Sequence, residues 1–177
     1  VAIKQHPVLL KKMEKAAKLS DESPFNQFIQ IGKKSDIGIV TSGVSFNYVK
    51  EAAEDLGIDV SILKLGMTHP IPPKMCKKLI ESHKKIVVVE ELEPIIENQI
   101  KQLAFDLDAS VEILGKSSDH FSRLYEYTPD IVTKALAAIF DKKIPFPQAL
   151  SSKITLPSRP PALCPGCPHR ATYYAIK

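Results

Sequence analysis

Cys164 and Cys167 are the sharpest chemical feature of this 177-residue sequence. Two thiolates at this C-x-x-C spacing can grip a single iron or zinc centre. Gly166 lets the intervening loop turn tightly, and Pro165 and Pro168 stiffen it. The pair is half a site, because tetrahedral thiolate centres take four ligands. Fe–S ligation leads the reading, with zinc, a redox dithiol and a structural pair as alternatives. His169 stands two residues after Cys167, which makes a third ligand on the same ion awkward.

Three other places carry residue types capable of chemistry. Ser42 and Gly43 could present a hydroxyl and backbone amides to an anion at a helix start. A tight strand-to-helix turn is the plainer reading, since no G-x-G-x-x-G follows the first apolar strand and no P-loop motif occurs. His69 titrates in the range useful for acid–base work, but no nucleophile–base constellation surrounds it in the sequence, which favours loop or interface packing. Glu90 and Glu91 could form a carboxylate pair. Adjacent strand residues point to opposite faces, however, so strand-end or partner contacts fit better than joint action. Cys76 shares an apolar helix face with Leu79 and Ile80 and reads as a buried structural thiol.

The elements that must position these groups follow from periodicity. Val8 to Leu19 reads as a lysine-rich helix, closed by Ser20–Pro24, and Phe25 to Ile31 alternates as a short strand. From Asp36 the pattern turns regular. Short apolar strands at 37–40, 60–65, 86–89 and 111–114 alternate with amphipathic helices at 44–56, 73–82 and from Pro94 onward. Thr128-Pro129-Asp130 starts a last helix whose inner face is expected to be Ile131, Val132, Ala135, Leu136, Ile139 and Phe140. Four strands alternating with helices specify an α/β fold: three layers, a mostly parallel sheet, helices on both faces.

The expected organisation is a lead-in helix and short strand at 1–33, an α/β domain at 34–143, a Pro-rich linker at 144–163, and the start of a further domain at 164–177. Seven of the 14 prolines fall between Pro145 and Pro168, which is why the linker reads as stiff and extended. The chain opens on Val and stops at Lys177 within an apparent helix, so a piece of a longer polypeptide is expected.

Composition narrows the class. Hydrophobic residues make up 44% and charged residues 25%, an ordinary globular balance. Residues 1–34 hold seven Lys and three acids, so the net charge of +4 belongs to that segment, and the rest is neutral. A solvated helix face explains it better than a polyanion, and no arginine stripe of a nucleic-acid reader exists. No apolar run reaches the length of a membrane span, and no signal peptide is recognised. Three cysteines, two of them adjacent to one turn, suit a reducing, cytoplasmic compartment.

The segment Arg159-Pro160-Pro161-Ala162-Leu163-Cys164-Pro165-Gly166-Cys167-Pro168-His169-Arg170 resembles the opening of the thiamine-diphosphate domain in the α subunits of indolepyruvate:ferredoxin oxidoreductases. Ser23–Asn26, Gly38–Val49, Leu63–Gly66, Val88–Pro94 and Leu124–Val132 are similar, in order, to the middle of those subunits. The resemblance implies a transketolase C-terminal-domain-like α/β unit followed by the first residues of the thiamine-diphosphate-binding domain. It implies an enzyme that oxidatively decarboxylates aryl 2-oxo acids to acyl-CoA, with ferredoxin as electron acceptor. It further implies thiamine diphosphate with Mg²⁺, 4Fe-4S clusters, coenzyme A, and a β-subunit partner, with Cys164 and Cys167 as candidate metal ligands. The catalytic glutamate and the Mg²⁺-binding motif of that family are not matched here, so no catalytic residue and no complete cofactor site are expected within this chain.

Overall fold

The computed structural model describes residues 2–144, 157 and 162–177, in two compact units, Val1–Phe146 and Pro147–Lys177. The first unit begins with α1 (Ala2–Glu22), followed by β1 (Gln27–Ile31), β2 (Ile37–Ser42), α2 (Ser45–Asp55), β3 (Val60–Leu65) and α3 (Pro73–Ser82). It continues with β4 (Lys85–Val89), α4 (Ile95–Asp106), β5 (Glu112–Leu114) and α5 (Pro129–Ile139). The second unit contains α6 (His169–Ile176). Most of the expected Pro-rich linker lies outside the described residues. Among the described residues, no helix is long and apolar enough to cross a membrane.

The five strands run in the order β1-β3-β2-β4-β5. The four inner and far-edge strands pair in parallel, β3 with β2, β2 with β4, and β4 with β5. β1 pairs antiparallel with β3, Phe28 opposite Leu63. The α/β pattern read from the sequence therefore holds, and the short strand of the lead-in joins the sheet as its edge. Gln27 and Gln30 keep that edge polar, as an outer strand requires.

Parallel strands buried on both faces need apolar residues at successive positions. β3 shows this directly: Val60 and Ile62 face α2 and α5, while Leu63 and Leu65 face α3 and α4. One core layer gathers Ile39, Val49, Ile62, Val87 and Leu136. The other gathers Val40, Leu63, Leu79, Ile86, Ile96 and Ile100. Burying each such side chain contributes roughly 1.5–3 kcal/mol before entropy is counted.

Three local expectations change. α1 begins at Ala2, not Val8, and carries Pro7 through its second turn. Proline removes one helical N–H, yet the flanking residues keep helical geometry here. Its last turns gain support by packing Met13, Ala16, Ala17 and Ser20 toward α3. In α5, Ile131 is 40% exposed, and Thr133 and Ala137 are buried instead. The Thr128 cap explains the rotation: its Oγ1 accepts the Ile131 N–H, holding residue 131 at the open end of the helix. α6 starts at His169, two residues before Ala171, where the sequence pattern of the last helix begins.

Candidate functional site

The carboxyl ends of β2, β3 and β4 form one rim of the sheet. The chain leaves β2 toward the α2 layer and leaves β4 toward the α3/α4 layer, so a crevice opens between those two strand ends. Open α/β sheets place ligand sites at such a switch point. Here the crevice has a volume of about 410 Å³ and is lined by Ser42, Gly43, Ser45, Thr68, Glu90 and Glu91, with apolar walls from Val44, Leu92 and Ile95.

Gly43, Glu90 and Glu91 each have a definite place in the rim. Gly43 takes φ 57°, which lets the chain turn from β2 into α2 within two residues. Glu90, buried at the end of β4, turns its carboxylate onto the first turn of α4. Oε2 accepts the Ile96 N–H at 2.8 Å, and Oε1 accepts the Glu97 N–H at 2.9 Å. The positive end of that helix is thus already met by a carboxylate of the chain itself. Burial pushes the Glu90 carboxyl up, while the two amides and Lys116 work against that rise. Glu91 turns elsewhere and accepts the Tyr127 N–H at 2.9 Å. The two glutamates act separately, as their adjacent positions require.

His69 is exposed on the rim, its Nδ1 3.3 Å from Gln99 Oε1. It contacts no nucleophile. Cys76 is fully buried among Leu79 and Ile80, and burial pushes its thiol up to about 12, so it stays protonated near neutrality.

The residues that build the rim most firmly were not singled out from sequence. Glu97, only 1% exposed, accepts the Lys101 ammonium at 2.7 Å, the Lys116 N–H at 2.7 Å, the Ser117 N–H at 3.3 Å and the Ser117 hydroxyl. Burial alone would raise its carboxyl, but these donors outweigh that and hold it below the ordinary range. Lys116 is buried too. Its ammonium donates to Ser122 O at 3.1 Å and to the Tyr127 hydroxyl, and lies 4.7 Å over the Tyr127 ring. Burial lowers its pKa against the pull of Glu90 and Glu97. The Tyr127 hydroxyl is pushed up to about 12 by burial and by the neighbouring carboxylates. Together these groups clamp the irregular stretch 115–127 onto the start of α4. The sequence does carry one signal for the clamp: Glu97 stands in the first turn of α4, four residues before Lys101.

Chemically, the clamp is structural. Glu90, Glu91 and Glu97 each accept donors of the chain itself. The surplus of carboxylates also disfavours the small anion that Ser42 and Gly43 could have bound.

In the second unit, Cys164 and Cys167 share one tight turn. The Cys167 N–H donates to Cys164 O at 3.0 Å, and Gly166 at φ 77° closes the turn. Cys167 Sγ lies 3.4 Å from His169 Nδ1. Among the described residues, no three or more His, Cys, Asp or Glu converge as a metal site.

A comparison with protein families matches residues 28–154 to the indolepyruvate oxidoreductase domain. The indolepyruvate oxidoreductase subunit IorA of Methanothermobacter thermautotrophicus is 37% identical over 97% of this chain and 28% of its own length. The subunit of the same name from Pyrococcus horikoshii is 41% identical over 98% of this chain and 27% of its own length. The chain thus spans under a third of the curated relatives it matches. Among solved structures, a 2-oxoglutarate:ferredoxin oxidoreductase from Magnetococcus marinus, with 2-oxoglutarate, coenzyme A and succinyl-CoA bound, aligns over 76% of this chain and 23% of its own, at a TM-score of 0.54 and 18% identity. That likeness is one of fold.

Proposed function

The chain belongs to the indolepyruvate oxidoreductase family, and on that premise we propose that it supplies a non-catalytic contact domain to an enzyme that oxidatively decarboxylates aryl 2-oxo acids such as indolepyruvate. The products are an acyl-CoA, carbon dioxide and reduced ferredoxin. The carrying observation is the commitment of Glu90, Glu91 and Glu97 to the chain's own amides, hydroxyl and ammonium groups. These bonds tie the carboxylates to the fold of the rim, while its outer surface stays apolar at Leu92 and Ile95. The names of the relatives support the substrate class.

The complete enzyme would use thiamine diphosphate with Mg²⁺ for the decarboxylation and 4Fe-4S clusters to pass single electrons to ferredoxin. In that enzyme Cys164 and Cys167 would supply two thiolates to one cluster, with the remaining ligands contributed from outside this chain. The turn closed by Gly166 holds the two thiols on one short loop, which supports their acting on a single centre. A β subunit, ferredoxin and coenzyme A are the partners, in the cytoplasm. Residues 34–143 would form the contact domain, preceded by the lead-in at 1–33, and 164–177 would open the cofactor-binding domain.

The test is turnover. The complete enzyme is expected to reduce ferredoxin in the presence of indolepyruvate and coenzyme A. Replacing Cys164 and Cys167 together with serine should reduce that rate at least about tenfold, the equivalent of about 1.4 kcal/mol, and diminish the iron bound per enzyme. His69→Ala should leave the rate within about twofold. Full activity and full iron content in the double variant would sink the ligand assignment, and failure to turn over any aryl 2-oxo acid would sink the functional reading.

A further inference from the structure

His169 lies against one of the two thiols of the C-x-x-C turn, with its Nδ1 3.4 Å from Cys167 Sγ. The local backbone produces that contact. Pro168 stands between the two residues, and its ring holds φ at −64°, with ψ at −26°. The chain therefore passes from the cysteine turn straight into helical geometry. The Cys167 carbonyl accepts the Arg170 N–H at 3.1 Å, which joins the turn to the start of α6. His169 is the first residue of α6, and a helical Cα–Cβ bond leans toward the helix N-terminus. The imidazole is thereby aimed back at the residue two places before it. From the other side, the Cys167 N–H bond to Cys164 O, with Gly166 at φ 77°, holds the same cysteine in its turn.

Which group donates in this contact depends on the state of Cys167. A free thiol can donate its hydrogen to Nδ1. A thiolate bound to a metal has no hydrogen left and can only accept. Once Cys167 is a ligand, Nδ1 must be the donor, and both the Nδ1–H tautomer and the imidazolium provide that hydrogen. Among the described residues, Cys164, Cys167 and His169 do not converge as a three-ligand set, so the imidazole addresses the sulfur and not the metal. Hydrogen bonds to cluster sulfurs are one of the levers by which a protein sets a reduction potential. Reduction adds negative charge to a thiolate-bound centre. A donor at Sγ therefore stabilises the reduced state more than the oxidised one.

We propose that His169 is a positioning residue for the Cys167 thiolate. Its Nδ1–H fixes the direction of Sγ and raises the reduction potential of the iron–sulfur centre that Cys164 and Cys167 would help to hold. The role rests on the ligand assignment made above and adds the group that tunes it. The imidazole forms no bond to iron and transfers no proton. One electron from oxidation of the 2-oxo acid enters the centre and leaves toward ferredoxin, with the N–H···S bond kept throughout.

Redox titration of the complete enzyme, followed by electron paramagnetic resonance and with iron measured per enzyme, tests it. The signal lost when Cys164→Ser and Cys167→Ser are combined identifies the centre. In His169→Leu that signal should persist with full iron. The centre should then hold its electron about tenfold less tightly, a drop of about 59 mV for a one-electron couple. His169→Asn places an uncharged amide N–H near the position of Nδ1 and should restore about half of the drop or more, which separates a hydrogen bond from a charge. An unchanged potential in His169→Leu overturns the proposal while leaving the ligand pair in place. So does loss of that centre's iron, which would make His169 a ligand, and so does an Asn variant that behaves as the Leu variant. If the double serine variant keeps every signal and all its iron, the ligand assignment itself fails and the role of His169 falls with it.

Discussion

Replacing Glu97 with alanine is expected to lower the stability of the α/β unit by about 3 kcal/mol, the upper end of what a buried donor left without its acceptor costs. The carboxylate serves four donors at once. Its loss leaves the buried Lys116 amide without its acceptor, whereas Ser117 is exposed and can turn its amide and hydroxyl to water. Each orphaned buried donor costs about 1–3 kcal/mol. Lys101 is partly exposed and can turn to solvent, so its share is small. Glu97→Gln keeps the shape and one acceptor oxygen and should cost less than half as much. Urea unfolding gives both numbers. A loss below about 1 kcal/mol for the alanine variant would mean that the 115–127 stretch is held by something else.

Gly66→Ala comes next in size, at about 2–3 kcal/mol. Gly66 follows β3 at the rim, and a Cβ there would meet the Phe25 side chain, with the Phe25 carbonyl oxygen 2.9 Å away and its carbonyl carbon 3.1 Å away. A side chain could swing aside, but backbone cannot move without disturbing Asn26. The Asn26 side chain ties the lead-in to the rim by accepting the Gly66 N–H at 2.8 Å and the Met67 N–H at 3.1 Å. Its Nδ2 also donates to Ser20 O at 2.6 Å, at the end of α1. The expected outcome is a lower urea midpoint together with faster hydrogen exchange in β1, and unchanged exchange in β4. Uniform loss across the sheet would contradict the local mechanism.

Much of the fold was legible because parallel strands must be apolar on both faces. Val60–Leu65 and Pro73–Ser82 coincide with the periodicity, residue for residue. The strand ends drifted by one or two residues, since side-chain pattern says little about where backbone pairing stops. The sheet order came from nowhere in the pattern: that β1 pairs antiparallel with β3 depends on where the lead-in at 1–33 folds back. The rim was legible in part. Ser42, Gly43, His69, Glu90 and Glu91 announced themselves by sitting at strand ends. Glu97 and Lys116 did not, because a charged residue on a helix or after a strand normally reads as solvent-facing. Their burial follows from each other, across 19 residues of sequence. Tyr127 was visible within a family-like segment, yet its hydrogen bond to Ser122 O and its stacking beneath Lys116 are matters of tertiary placement.

The most direct measurement of the domain's role is titration calorimetry of the folded 177-residue chain with coenzyme A, thiamine diphosphate and indolepyruvate in turn. A contact domain whose rim carboxylates are internally engaged should give no saturable heat with any of the three, leaving dissociation constants weaker than about 1 mM. Saturable micromolar binding of any one, weakened by Ser42→Ala or Glu91→Gln, would make the crevice a ligand site and contradict the assignment.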